Sequence, residues 1–239
     1  MSRPSFAHSD YLITYTHAYY MPEGSTGADQ QTQFETWVLV ANPNKVVTNV
    51  EVIYFTPKGE VAGPKFKMQP YTRVSINEAD VVPGQWSVSL LVRGDQNLGV
   101  DRETLWNNRV GMASSTAVGF SPTSGFDEWC CAEGSTKGGM DTWIEILNAY
   151  TEKAIVHVAY MTKKGLVKGP QLTIPPKTRI TVHVADTVPD EWDVATLVDV
   201  SGQMIYVGRS MFKINGNGIK GDGSYSDALY VKGLSDWGF

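Results

Sequence analysis

The chain carries one pattern twice, at an interval of 106 to 110 residues. "YYMPEGST" from Tyr19 returns as "WCCAEGST" from Trp129. "FETWVLVANP" from Phe34 returns as "MDTWIEILNA" from Met140, and "VEVIYFTPKGEVAGP" from Val50 as "VHVAYMTKKGLVKGP" from Val156. "QPYTRVSINEADVVPGQWSVSLLV" from Gln69 matches "PPKTRITVHVADTVPDEWDVATLV" from Pro175, and "VDRETLW" from Val100 matches "VGRSMFK" from Val207. The first copy holds four extra residues, in "GADQQTQ". A unit of this size is what one sandwich domain requires, and 239 residues hold two.

Within each unit the apolar residues alternate. Val50, Val52 and Tyr54 share one face, as do Val156, Val158 and Tyr160, which is the mark of a strand with one face buried. "TPKGE" and "TKKGL" read as tight turns in which Gly59 and Gly165 supply the positive φ, so 47–56 pairs with 60–68 and 153–162 with 166–174. Pro70 and Pro176 mark strand starts. No stretch has a 3.6-residue apolar period. The expected fold is all-β, two sandwiches in tandem. The expected boundaries are a strand-like extension over 1–18, one sandwich over 19–122, a second over 123–225 and a strand-like extension over 226–239.

Charge narrows the function. The net charge of −5, with only 19% charged residues, leaves no basic face for phosphate, so no nucleic-acid partner is expected. No run is long enough for an apolar membrane span, and the first twenty residues lack the apolar core of a signal peptide. Cys130 and Cys131 are adjacent and fall where the first copy has Tyr20 and Met21. That equivalence favours packing over chemistry, with a disulfide between chains as the alternative. Four histidines without metal-ligand spacing give no metal centre, and no nucleophile set is present, so neither cofactor nor enzyme is expected. "GNGIKG" from Gly216 fits GxGxxG only formally. It runs into "GDGSYSD" rather than a helix, and reads as a flexible loop.

Some charged residues recur: Glu23 with Glu133, Arg73 with Arg179, Asp80 with Asp186, and Arg102 with Arg209. They read as ties closing each sandwich, with Glu23 partnering Arg73 or Arg102. The recurring Trp37/Trp143 and Trp86/Trp192 read as core, and Trp106 as the exposed aromatic.

The motifs "EWCCAEGST", "DTWIEILNA", "KTRITVHVAD" and "VGRSMF", with "PEGST", "ETWVLVANP", "YTRVSINEAD" and "VDRETLW", resemble tandem β-sandwich repeats of secreted and surface proteins of actinobacterial and Chloroflexi-type bacteria. The resemblance implies immunoglobulin-like sandwiches and an extracellular or cell-surface location, with no activity attached. The family's usual Glu before the Arg is Asp101 in one copy and Gly208 in the other. The expected function is a structural subunit of a self-assembling filament. Its copies would join head to tail through terminal strands carrying Tyr11, Ile13 and Tyr15 at one end and Leu229 and Val231 at the other. The alternative is a surface module that binds a glycan or another surface protein.

Overall fold

The computed structural model describes residues 14–30, 32–107, 112–118, 128–202, 204–215, 218–227 and 229–230. Every strand pairing among them is antiparallel, and the only helical turns are the one-turn 3-10 segments Glu78–Asp80 and Val184–Asp186.

The first half contains β1 (His17–Met21), β2 (Gln33–Ala41), β3 (Thr48–Thr56), β4 (Gly59–Met68), β5 (Arg73–Asn77), β6 (Ser89–Gly94), β7 (Gly99–Asn107) and β8 (Met112–Val118). They form two sheets, β1-β6-β3-β4 and β5-β2-β7-β8. The second half contains β9 (Glu128–Cys131), β10 (Met140–Asn148), β11 (Ala154–Thr162), β12 (Gly165–Ile174), β13 (Thr178–His183), β14 (Ala195–Ser201), β15 (Tyr206–Asn215), β16 (Gly218–Asp227) and β17 (Leu229–Tyr230). Its sheets are β13-β10-β15-β16 and β12-β11-β14-β9-β17.

In each half the two sheets close on one apolar core. Val38, Val52, Tyr54, Leu90, Val92 and Val100 meet in the first, and Ile144, Ile146, Val156, Val158, Tyr160 and Val198 in the second. The hairpins form where the turns place them, with Gly59 at φ 124° and Gly165 at φ 112°. Asn42 and Asn148 each donate their side-chain amide to carbonyls at the end of the hairpin, Met68 and Gln69 in one case and Ile174 and Pro175 in the other. These bonds satisfy backbone groups that a strand end would otherwise leave open.

β3 and β11 part company on their outer faces. The alternation in β3 leads one to expect one buried face, yet Ile53 and Phe55 on the other face are buried too. They join Leu91 against the core of the second half. Tyr20 stacks on Tyr206 at 3.9 Å across the same seam. On β11 the residue matching Phe55 is Met161, which is exposed.

The ends differ from the expectation of free connecting strands. β1 pairs with β6 of its own half, and Leu229 pairs through its backbone with Cys130 in the same chain. Tyr15 precedes β1, its ring 4.7 Å from the Arg93 guanidinium. Tyr11, Ile13 and Val231 lie outside the described residues. The stretch read as a flexible loop instead supplies β16 from Gly218 on, because the backbone of β15 offers a ladder, shifted in register between Phe212 and Lys213, that local Gly content does not prevent.

Candidate functional site

The EGST segments are held alike in both halves. Thr36 Oγ1 donates to the Ser25 carbonyl at 2.7 Å and accepts the Ser25 amide at 3.1 Å; Thr142 does the same for Ser135 at 2.7 and 2.9 Å. Thr26 and Thr136 donate to the carbonyls of Val82 and Val188. The preceding acids are then aimed at β7 and β15. Glu23 pairs with Arg102, which also donates to the Glu23 carbonyl, and Glu133 pairs with Arg209 at 2.8 Å. Arg73 and Asp80 are exposed and take no part in this tie. Asp186, also exposed, lies 2.8 Å from Nδ1 of His183.

Arg179, matching Arg73 by sequence, is buried in the seam between the halves. Its guanidinium donates to the Val88 carbonyl of the first half at 3.4 Å and to Thr181 Oγ1 at 2.7 Å, and its Nε has no partner. Two further acids lie in the same interior. Burial, more than repulsion from Glu23, pushes Glu145 up to about 7, and Ser210 donates to its Oε1 at 2.5 Å while Oε2 is unpartnered. Burial pushes Glu78 up to about 8, against the pull of Arg102, and neither of its oxygens has a partner.

Above this floor opens a cleft of about 360 Å³. Phe34 and Trp86 from the first half and Trp143 and Phe212 from the second form its walls, with Ser87, Thr181, Ser210 and Asp141 between them. Trp86 meets Phe34 edge-on at 6.0 Å. Trp143 is fixed twice: its Nε1 donates to Asp141 Oδ2 at 3.0 Å, and its ring stacks on His183 at 4.1 Å. Burial works against a charged His183, but its two nitrogens face Asp141 Oδ1 at 2.5 Å and Asp186 Oδ1 at 2.8 Å, and the net effect raises its pKa. Both Asp141 oxygens are therefore occupied.

Two sequence-based expectations are corrected here, and the cysteines are placed as the packing reading expects. Trp106 is 2% exposed, because residues 102, 104 and 106 of β7 face inward and Phe212 closes the end of the strand at 5.7 Å, edge to face. Trp86 and Trp192 are not core; they are 50% and 55% exposed. Each lies over a glycine, Gly27 and Gly138, where a Cβ would collide with the indole. Cys131 is buried in the core and Cys130 half-buried, both as free thiols, so Cys131 is not placed to bridge two chains. Burial also raises the Cys130 thiol pKa, which keeps it protonated and slow to react. Titration with an aromatic disulfide reagent should find Cys131 silent and Cys130 slow in the native protein, and both fast in denaturant. A fast-reacting thiol in the native protein would contradict this packing.

No protein-family model matches the chain, and no curated protein does. Two solved structures are similar to part of it. One, Thermotoga maritima 1070, is 13% identical over 46% of this chain and 97% of its own, with a TM-score of 0.40. The other, the Anabaena sensory rhodopsin transducer, is 28% identical over 36% of this chain and 97% of its own, with a TM-score of 0.32.

Glu145 and Glu78 were missed by reading only the charges that recur. The signal was the opposite one: Glu145 stands where the first copy has Leu39, and Glu78 where the second has Val184. Among the described residues, no group of three or more His, Cys, Asp or Glu is arranged to hold a metal, and no helix is long and apolar enough to cross a membrane.

Proposed function

We propose that the chain is a non-catalytic binding module of the bacterial cell surface, made of two tandem immunoglobulin-like sandwich repeats, whose seam cleft takes a neutral saccharide. The observation that carries this is the cleft itself, four aromatic rings with three hydroxyls and a carboxylate set between them. Sugars present C–H faces that pack on aromatic rings and hydroxyls that need polar partners at the edge. Its volume falls in the range of small-molecule sites, roughly 300–1,000 Å³. Binding fits better than glycoside hydrolysis, which needs two carboxylates free to act on the bond. Here Asp141 is committed to Trp143 and His183, and Glu145 lies beneath the walls bonded to Ser210. The surface location rests on the motif resemblance.

Calorimetric titration with a panel of neutral oligosaccharides tests the proposal. Trp143→Ala and Trp86→Ala should each weaken the binding of the saccharide found by at least tenfold, in line with about 1.5 kcal/mol or more for an aromatic contact. The proposal is wrong if no saccharide binds, if both variants bind as the parent does, or if the protein releases reducing ends.

A further inference from the structure

The face that the second half turns to the cleft differs from its counterpart on the first half at two linked positions. Glu145 stands where the first copy has Leu39, and Ser210 where it has Glu103. Leu39 and Glu103 are half-buried on the outer side of β2 and β7. A sandwich of this pattern therefore accepts an apolar side chain at the Glu145 position. A buried acid there answers to something other than folding one half.

Glu145 lies in the floor of the cleft. Ser210, which also lines the cleft, donates to its Oε1 at 2.5 Å, and Oε2 is buried with no partner. Burial raises the carboxyl most, and Glu23 of the EGST corner adds to the rise. Arg179 of β13, Ser210 of β15 and Arg102 of β7 oppose it. Arg102 is paired with Glu23, and Arg179 gives hydrogen bonds to Val88 and Thr181. Farther along the same face, Asp141 of β10 is bonded to His183 of β13. Glu78 is buried in the first half beneath Gly24.

The Glu145–Ser210 pair has two states. With Glu145 ionised, the one Ser210 proton is given to the carboxylate, and Ser210 offers a ligand lone pairs only. The floor then carries a negative charge whose second oxygen is unsatisfied. With Glu145 protonated, the acid can donate to Ser210, which frees the hydroxyl proton for the cleft. The floor is then neutral and can give a hydrogen bond as well as accept one. A neutral saccharide displaces the water above this floor. Losing that water raises the cost of the charge and leaves the neutral state nearly untouched.

We infer that Glu145 is a proton-linked positioning residue of the cleft: it sets the hydrogen-bonding polarity of Ser210, and a neutral saccharide binds the protonated form and draws a proton onto it. The inference rests on the saccharide reading and gives that site its dependence on pH. Glu145 titrates at about 7 before ligand binds, so affinity is full below that pH and falls as pH rises through it.

Calorimetric titration of the full chain at pH 6 and pH 9 decides it, with cellotriose, maltotriose and xylotriose as probes. A probe that binds at pH 6 should bind about tenfold more weakly at pH 9. At pH 7.5 the binding heat of the parent should differ between phosphate and Tris in proportion to their ionisation heats, which measures the proton taken up. Glu145→Gln keeps an acceptor for Ser210 and has no proton to exchange, so its affinity should be equal at the two pH values. His183 titrates beside the cleft as well, its pKa raised by Asp141 and Asp186 against the opposing effect of burial. His183→Asn installs the residue that the first copy has at Asn77, and the fall with pH should persist in it. Circular dichroism checks that each protein is folded at both pH values. Equal affinity of the parent at pH 6 and pH 9 overturns the inference while leaving saccharide binding intact. So do a fall that survives in Glu145→Gln and a fall that vanishes in His183→Asn. Equal heats for the parent in the two buffers overturn it even if Glu145→Gln fails to fold. Absence of binding by every probe at both pH values removes the saccharide site, and the inference with it.

Discussion

Glu78→Gln should remove most of the loss of stability that this protein suffers as pH rises from 5 to 9. In the fold Glu78 titrates at about 8 rather than at the ordinary 4.5, chiefly because it is buried. The folded chain therefore holds a proton that the unfolded chain gives up across that window. Stability from this group is complete below 4.5, falls as pH rises, and is lost above 8. Glu145, raised to about 7, acts in the same direction over the lower part of the window. The effect of Glu78 alone is on the order of 5 kcal/mol between the two limits. Glutamine has the shape of the protonated acid and no proton to lose. The variant should match the parent in urea at pH 5 and exceed it at pH 9. Parallel pH profiles for the two proteins would show that Glu78 is not buried in its neutral form.

Arg179→Met should be the more damaging change. It removes donors to Val88 and Thr181 and leaves Glu23, Glu78 and Glu145 with Arg102 as the buried cation beside them. Breaking a buried ionic group from one side costs about 3–5 kcal/mol, most of it from the charges left behind. The loss should grow with pH, because Arg179 is one of the groups holding Glu145 down. Adding Glu145→Leu installs the residue that the first copy has at Leu39 and removes one stranded acid. The double variant should recover a large part of the loss, and a double-mutant cycle in urea measures the coupling. If Arg179→Met costs under about 1 kcal/mol, the seam is held by its apolar contacts alone.

The two results would separate charges that close a sandwich from charges that belong to the seam. Glu23–Arg102 and Glu133–Arg209 recur and each lies within one half. Glu78 and Glu145 do not recur; Glu145 lines the cleft where the halves meet, and Glu78 is buried in the first half beneath Gly24.

The sequence alone determined the local structure. Alternation in Val50–Tyr54 and Val156–Tyr160 placed the strands, because a side chain on a strand can reach only one of two faces. Gly59 and Gly165 placed the hairpins, because those turns need positive φ. It also showed that two stretches with the same signals should fold alike. The tertiary structure decided what each outward face meets. Trp106 reads as an exposed aromatic until Phe212 is set against it, and "GNGIKGDGSYSD" reads as a loop until β15 offers its backbone. Arg73 and Arg179 occupy matching places in the pattern, yet one is exposed and the other buried. The difference is the neighbouring half, since burial is a property of what packs against a residue and not of the residue itself.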